Sequence, residues 1–489
     1  MKRLFHILPK LVLGVFIITS SCTKDFDEIN RDPNNPENAP NLSVLSYSIV
    51  ELGDRFNIDE ELSFAASYVG HIAMGQNNDA NKYLTQPPEG MWASYYVRSL
   101  HNLNNIISTA DPAKEVNIKA AALVLKAYAT MIQVDAYGEV PYFNAAKLNE
   151  GVTNAAFDSE RDIYLDLFEL LKEANELFTD EGFSNGDKEM FRRYDILFGT
   201  KEFSDGIMAW KKFANSLRLR LAIRASNVDF ALAATQINEI LSDPATYPII
   251  DSNEENAALL YPGTDNWIEP WTDYSGYYPY IYMAAPLIDT MNLLTDPRRP
   301  VYAKSIRGRY RGLQVGADGS ASKIQPKFIN NITDGKVFFL TYSEVEFLKA
   351  EAYSRGLVTK DAAAAKVSYE QGIRAHMEYM EVEDASIDSY ILDPMVVWNG
   401  DEAGIQKLYI QKWISLFRQS WEAWAEMRRT DVPLLSVAEG SPYGGHNRVP
   451  FRFGYPDGEI QKNSEQPSAN VVDFYWGDQI WWDTRSDVQ

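Results

Sequence analysis

The stretch Leu340-Thr-Tyr-Ser-Glu-Val-Glu-Phe-Leu-Lys-Ala-Glu-Ala352 decides the fold. Thr341 with Glu344 three residues on spells a capping box, in which hydroxyl and carboxylate each satisfy a backbone N–H at a helix start. Val345, Leu348 and Ala352 recur at helical spacing and predict its buried stripe. Gly356 supplies a residue suited to closing the helix. After a short turn, a second helical pattern runs from about Ala362 to Met380. Ala350 and Gly372 are small enough for the two helices to touch, and Tyr353 and Tyr369 fill the gaps between them. The unit is a helix hairpin of tetratricopeptide type. No strict period of about 34 residues repeats along the chain. The reading is therefore mainly α, with irregular tetratricopeptide-like helix pairs rather than a true solenoid.

Outward from that hairpin the same periodicity recurs. Ile118, Ala121, Ala122, Leu125, Ala129 and Ile132 mark one helical face, and Trp210, Phe213, Ala214, Leu217 and Leu221 another. Ile410, Trp413, Ile414, Phe417, Trp421 and Trp424 predict a third, four turns long. Their placement makes Trp210, Phe213, Trp421 and Trp424 core residues. Arg428 and Arg429 fall at a helix end and read as caps and salt-bridge partners. Two stretches break the helical pattern, 243–335 and 431–475, both dense in Pro, Gly, Asn and Asp. Loops this long inside a compact body usually carry function.

The N-terminus reads as an export signal. Lys2 and Arg3 precede a compact apolar run, Leu11 to Ile18. A permanent span needs roughly 20 apolar residues, so this run suits a cleaved signal. Ile18-Thr19-Ser20-Ser21-Cys22 matches a bacterial lipobox, and Cys22 is the sole cysteine among 489 residues. One cysteine allows neither an intrachain disulfide nor a cysteine-rich zinc site. The expected organisation is a signal peptide over 1–21, a lipidated flexible tether over 22–40 with three prolines, and a single helical domain over 41–489. Acylation of Cys22 with two or more chains gives firm membrane attachment. The chain carries a net charge of −22, and losing Lys2, Arg3 and Lys10 with the signal takes it to −25. Such a surface repels phosphate backbones, so no nucleic-acid partner is expected.

The chain resembles the SusD/RagB family of nutrient-binding outer-membrane lipoproteins, in its SusD-like 2 branch. The resemblance rests on Asp27-Glu-Ile-Asn-Arg-Asp-Pro-Asn34, Val134-Asp-Ala-Tyr-Gly-Glu-Val-Pro-Tyr142, Trp210-Lys-Lys-Phe-Ala-Asn-Ser-Leu-Arg-Leu-Arg-Leu221, the opening stretch 340–352, Gln411-Lys-Trp-Ile414, Glu422-Ala-Trp-Ala-Glu-Met-Arg-Arg-Thr430 and Ile480-Trp-Trp-Asp483, in that order over nearly the whole length. It implies helix pairs packed against a loop-rich, ligand-binding half. It further implies a lid on a SusC-like TonB-dependent transporter barrel, capturing oligosaccharide or peptide at the cell surface. Asp25, Asp27 and Glu28 resemble the surface-export signal of such lipoproteins.

Gripping a flexible polymer without cutting it calls for rigid aromatic platforms rimmed by polar groups. Residues 261–282 pack Trp267, Trp271, Tyr274, Tyr277, Tyr278, Tyr280 and Tyr282 into a loop with no helical period. The first six are the candidate platform, and half of the group is expected to pack inward. Asn77, Asn78 and Asn81 in the amide-rich segment 75–83 are candidate hydrogen-bonding partners, with an ordinary turn as the alternative. Tyr443, His446, Phe451 and Arg452 form a weaker third patch.

Catalytic signatures are absent. The histidines at 6, 71, 101, 376 and 446 are scattered, and no zinc-protease, nucleophile-elbow or phosphate-loop motif occurs. No catalytic residue, cofactor or metal site is assigned, although Asp-rich loops offer the oxygen ligands that calcium takes. The alternatives are a lipid-anchored glycoside hydrolase, whose two carboxylates about 5–10 Å apart leave no linear motif, and a purely structural helical scaffold.

Overall fold

The computed structural model describes residues 39–489 apart from 57, 86–88, 148–150, 265–266, 274, 330–334, 401 and 464–474. The signal peptide, Cys22 and nearly all of the tether lie outside the described residues, as does Tyr274.

Four helix pairs build the scaffold. α1 (Asn41–Gly53) packs with α2 (His101–Thr109), and α3 (Val116–Tyr137) with α4 (Glu160–Leu177). α5 (Phe203–Ala225) packs with α6 (Phe230–Ser242), and α7 (Tyr342–Arg355) with α8 (Ala362–Tyr379). Side-chain caps start several of them: Ser159, Asp229 and Asp361 accept from backbone N–H groups of the first turn. Thr341 caps α7 by accepting from Glu344 N at 3.3 Å. The return half of the box is replaced, because the Glu344 carboxylate turns inward to Arg220. Gly356 closes α7 with φ +73°. Val345, Leu348 and Ala352 are fully buried, and a Cβ on Gly372 would lie 2.9 Å from the Phe347 ring, so that contact requires glycine.

The central helices are buried nearly all round rather than on one stripe, α3 and α5 most of all. Their periodicity understates how deep they run. The four-turn face over 410–424 is two helices, α9 (Glu402–Ser415) and α10 (Ser420–Thr430). Arg418, at φ +68°, breaks them. Its guanidinium pairs with the buried Glu269 carboxylate and lies 4.9 Å over the Trp271 ring. A tertiary ion pair thus overrides a continuous apolar period.

Among the described residues, three two-stranded antiparallel ladders pin the loops. β1 (Ile72–Met74) pairs with β5 (Ile281–Met283), β2 (Val140–Pro141) with β3 (Phe157–Asp158), and β4 (Ala257–Tyr261) with β6 (Gly335–Leu340). One apolar core runs through α1–α6 and ends on Trp482, while a second joins β1, β5 and the Phe347, Tyr369 and Trp413 side chains of α7–α9. No helix among the described residues is long and apolar enough to cross a membrane.

The quoted sequence motifs meet inside this scaffold as one buried ionic network. Arg224 of α5 donates to Asp135 of α3 at 2.5 Å and to Glu422 of α10 at 2.5 Å, and lies 3.3 Å from Glu426. Arg429 grips Glu351 with two bonds of 2.7 Å, and Arg220 grips Glu344 at 2.7 and 2.6 Å. Lys412 of α9 reaches Glu426 at 2.9 Å. Arg428 donates to the backbone oxygens of Asp135 and Phe451 and covers the Trp424 ring at 3.8 Å. Arg428 and Arg429 are therefore buried cross-links between elements. Their partners, not the helix dipole, explain them.

Candidate ligand-binding site

The β1–β5 ladder joins two segments 200 residues apart in the chain. Ala73 faces Tyr282 and Met74 faces Ile281, so the amide-rich loop after β1 lies against the aromatic segment before β5. Gly75 extends the contact, donating to Tyr280 O at 2.8 Å and accepting from Gly319 N at 3.2 Å. A Cβ on Gly75 would sit 2.3 Å from Gly319 O and 2.6 Å from the Tyr282 ring, so only glycine permits this three-way approach.

The amides divide by role. Asn81 is fully buried: it accepts from Met74 N at 2.9 Å and donates to Ser63 O at 3.0 Å. Asn78 donates to Gly316 O at 2.9 Å and to Ala317 O and Asp318 Oδ1 at 3.2 Å. Both are spent holding loops together, which is the turn alternative made tertiary. Asn77 differs, being exposed beside exposed Gln76 with φ +53°.

The aromatic residues divide likewise. Trp271 is 1% exposed, its indole N–H bonded to the Glu61 carboxylate at 2.9 Å. It is a core residue, since the buried acid and Arg418 draw it inward. Trp267 is 41% exposed, and its backbone N–H bonds Thr264 O at 2.9 Å. Tyr278, Tyr280 and Tyr282 are half-buried, each resting one side on the scaffold. The Tyr277 side chain lies outside the described residues. Lys323 sits 5.1 Å from the Tyr278 ring and 4.5 Å from that of Tyr282, while Lys304 flanks Tyr278 at 5.8 Å. These two lysines were missed by a search for aromatic and amide side chains. In the third patch, His446 stacks on Trp476 at 4.0 Å and Tyr443 is 38% exposed, but Phe451 and Arg452 are buried.

The perturbed acids sit away from any such surface. Burial pushes Glu61 up to about 7 and Asp195 up to about 6. Each accepts an indole N–H, from Trp271 and Trp210 respectively. Burial likewise raises Glu160 to about 7, where it accepts from Trp481 N. His71, buried and bonded to Trp413 O at 3.0 Å, is held down to about 3 by desolvation. These groups are buried structural acceptors and donors. Among the described residues, no cluster of three His, Cys, Asp or Glu side chains is placed to hold a metal ion.

The molecule is thus of the class of helical-pair scaffolds, here with half-buried tyrosines and exposed amides presented on paired loops. The chain belongs to the SusD-like 2 family, described as starch-binding and associating with the outer membrane, whose model matches residues 33–456. Solved structures agree. A chitin-binding protein is 25% identical with a TM-score of 0.77, covering 91% of this chain and 100% of its own. A chitin-binding SusD homologue from Flavobacterium johnsoniae is 22% identical with a TM-score of 0.76, covering 90% and 99%. A SusD homologue from Bacteroides thetaiotaomicron is 22% identical with a TM-score of 0.73, covering 92% and 100%. No curated protein matches the chain.

Proposed function

We propose that this protein captures a glycan at the cell surface and passes it, unbroken, to a SusC-like TonB-dependent transporter. The β1–β5 pairing supports the reading, because it bonds Gly75, which the exposed Gln76 and Asn77 follow directly, to Tyr280 and pairs Ala73 with Tyr282. Sugar rings expose C–H faces that pack on tyrosine, while amides bond hydroxyls. Trp267, itself exposed, offers a further platform. Glycan is favoured over peptide because two similar structures are described as chitin-binding. Triacylation of Cys22 holds the body at the outer membrane, residues 22–40 space it from the lipid, and 41–489 act as one unit.

The test is calorimetric titration of the mature chain with starch and chitin oligosaccharides, pectin fragments and mixed peptides, with product analysis after incubation. Binding of a glycan without cleavage, weakened in a Tyr280→Ala/Tyr282→Ala variant of unchanged melting temperature, supports the reading. Hydrolysis of the glycan, or binding of peptide alone, refutes it.

A further inference from the structure

The stretch from Arg299 to Lys327 carries seven cations and one acid, in a chain whose net charge is −22. Its fold concentrates them. Lys304 N bonds Lys323 O at 2.8 Å, and Ile306 and Arg309 close a hairpin through reciprocal backbone bonds of 2.8 and 3.1 Å. Arg307 and Gly308, at φ +50° and +76°, form the two-residue turn with both central residues left-handed. Lys304, Arg307, Arg309, Arg311 and Lys327 are all exposed. Among the described residues, none of the five is in an ion pair. Elsewhere the protein pairs its cations readily, even deep in the core.

This hairpin abuts the candidate site. Ser322 and Lys323 form the strand-like run beside β5, with Met283 N bonding Ser322 O at 2.9 Å. The Lys323 ammonium is anchored by Tyr278 O at 3.0 Å and Pro279 O at 2.6 Å, which occupies two of its three donors. Burial, and then the charge of Lys304, lowers the Lys323 pKa, so an arriving anion relieves a standing repulsion. The Lys304–Lys323 bond and the Ile306–Arg309 closure thus set the cations in one basic track that starts at the tyrosines and ends in the hairpin turn.

We propose that the ligand is an anionic polysaccharide, its carboxylate or sulfate groups held by Lys304, Arg307, Arg309 and Lys323 while its rings pack on Tyr278 and Tyr282. The proposal rests on the glycan-binding reading above. Screening confines the field of the acidic body to about 10 Å, so a local basic track governs what approaches it. Guanidinium groups match carboxylate and sulfate oxygens in paired bonds.

The experiment titrates the mature chain with polygalacturonate, chondroitin sulfate, neutral starch and chitin oligosaccharides, polyglutamate and anionic phospholipid vesicles. Affinity should be highest for one of the two acidic glycans and should fall with added salt; tighter polygalacturonate names carboxylate, and tighter chondroitin sulfate, which carries both groups, names sulfate where its desulfated form binds less. A Lys304→Gln/Arg307→Gln/Arg309→Gln variant should lose on the order of tenfold or more for that glycan, the cost of losing charge-assisted contacts. Its circular dichroism and any neutral-glycan affinity should stay unchanged. Tight binding of a neutral glycan, unaffected by the triple substitution, overturns the inference and leaves the glycan reading standing. Equal affinity for polyglutamate, or preference for vesicles, overturns the inference as well. Binding to no glycan overturns both.

Discussion

Replacing Arg224 with Met should destabilise the protein by about 3–5 kcal/mol, the range for removing one partner from a buried charge pair. Arg224 is fully buried and serves three acids at once: Asp135 at 2.5 Å, Glu422 at 2.5 Å and Glu426 at 3.3 Å. Burial alone would raise the Glu422 carboxyl, but Arg224, Arg220 and Lys412 outweigh it and hold it below its usual range. Methionine keeps most of the volume while deleting the charge, so packing contributes little to the loss. Asp135 retains the tyrosine and indole donors of Tyr164 and Trp482, and Glu426 retains Lys412 and Arg429, which keeps the cost from the upper extreme. The assay is urea denaturation at neutral pH, read as a lower midpoint at unchanged slope. Adding Glu422→Gln should recover part of the loss, with a coupling of about 1–3 kcal/mol between neighbouring sites. A loss below about 1 kcal/mol, or strict additivity of the two substitutions, would show that the network is a bystander to stability.

Glu61→Gln gives a test with a pH signature. Glu61 has its pKa raised to about 7 by burial, so between about pH 4.5 and 7 the folded state binds a proton that the unfolded chain lacks. Its contribution is fully present below the unfolded value and fades as pH rises through the folded one. The variant should therefore gain on the wild type from pH 5 to 7 and then level off in denaturation midpoints; a pH-independent difference contradicts this. Gly372→Val should cost about 1–3 kcal/mol by overpacking against Phe347, read as a lower melting temperature. Trp210→Phe should cost about 1–3 kcal/mol, mainly by leaving the buried Asp195 carboxylate without its indole donor at 2.8 Å; a neutral effect in denaturation would contradict that role. Cys22→Ser should move the protein from the membrane pellet to the soluble fraction, and an unchanged distribution would count against the lipid anchor.

The helix pair over 342–379 was legible in sequence because its cues are local: a cap at Thr341, a stripe of spacing three and four, and a glycine stop. The break at Arg418 was not, because the apolar period runs straight through it and only Glu269, 149 residues away, reveals it. The candidate site was legible as two compositions, amide and aromatic, but not as one place. Side-chain type did not distinguish Asn77 from Asn78, whose partners lie more than 230 residues distant. Nor did it separate Trp267 from Trp271, since Glu61 selects which indole is buried. The basic run from Arg299 to Lys327 is plain in the sequence, but composition alone gives it no neighbour. It acquires meaning only when Lys323 is seen between two tyrosine rings.

The two halves of the molecule are tied together by different kinds of bond, and that difference bears on what family membership can reveal. The scaffold motifs interlock through side chains: Asp135, Arg224, Glu422, Glu426, Arg429 and Glu351 form an unbroken ionic chain across four helices. Exchanging one member strands a buried charge, so a lone substitution there is costly. The site loops are fastened by no such ionic chain: besides the neutral Asn78 and Asn81 amides and the Lys323 ammonium, backbone bonds hold them, Gly75 N to Tyr280 O, Met283 N to Ser322 O and Lys304 N to Lys323 O. Apart from Gly75, those bonds ask nothing of the side chains they carry. The motifs that place the chain in its family therefore report the scaffold, while the exposed loop side chains, Asn77, Lys304, Arg307 and Arg309 among them, stand outside it. It follows that charge on the loops, rather than likeness to chitin-binding relatives, is the better guide to which glycan this protein holds.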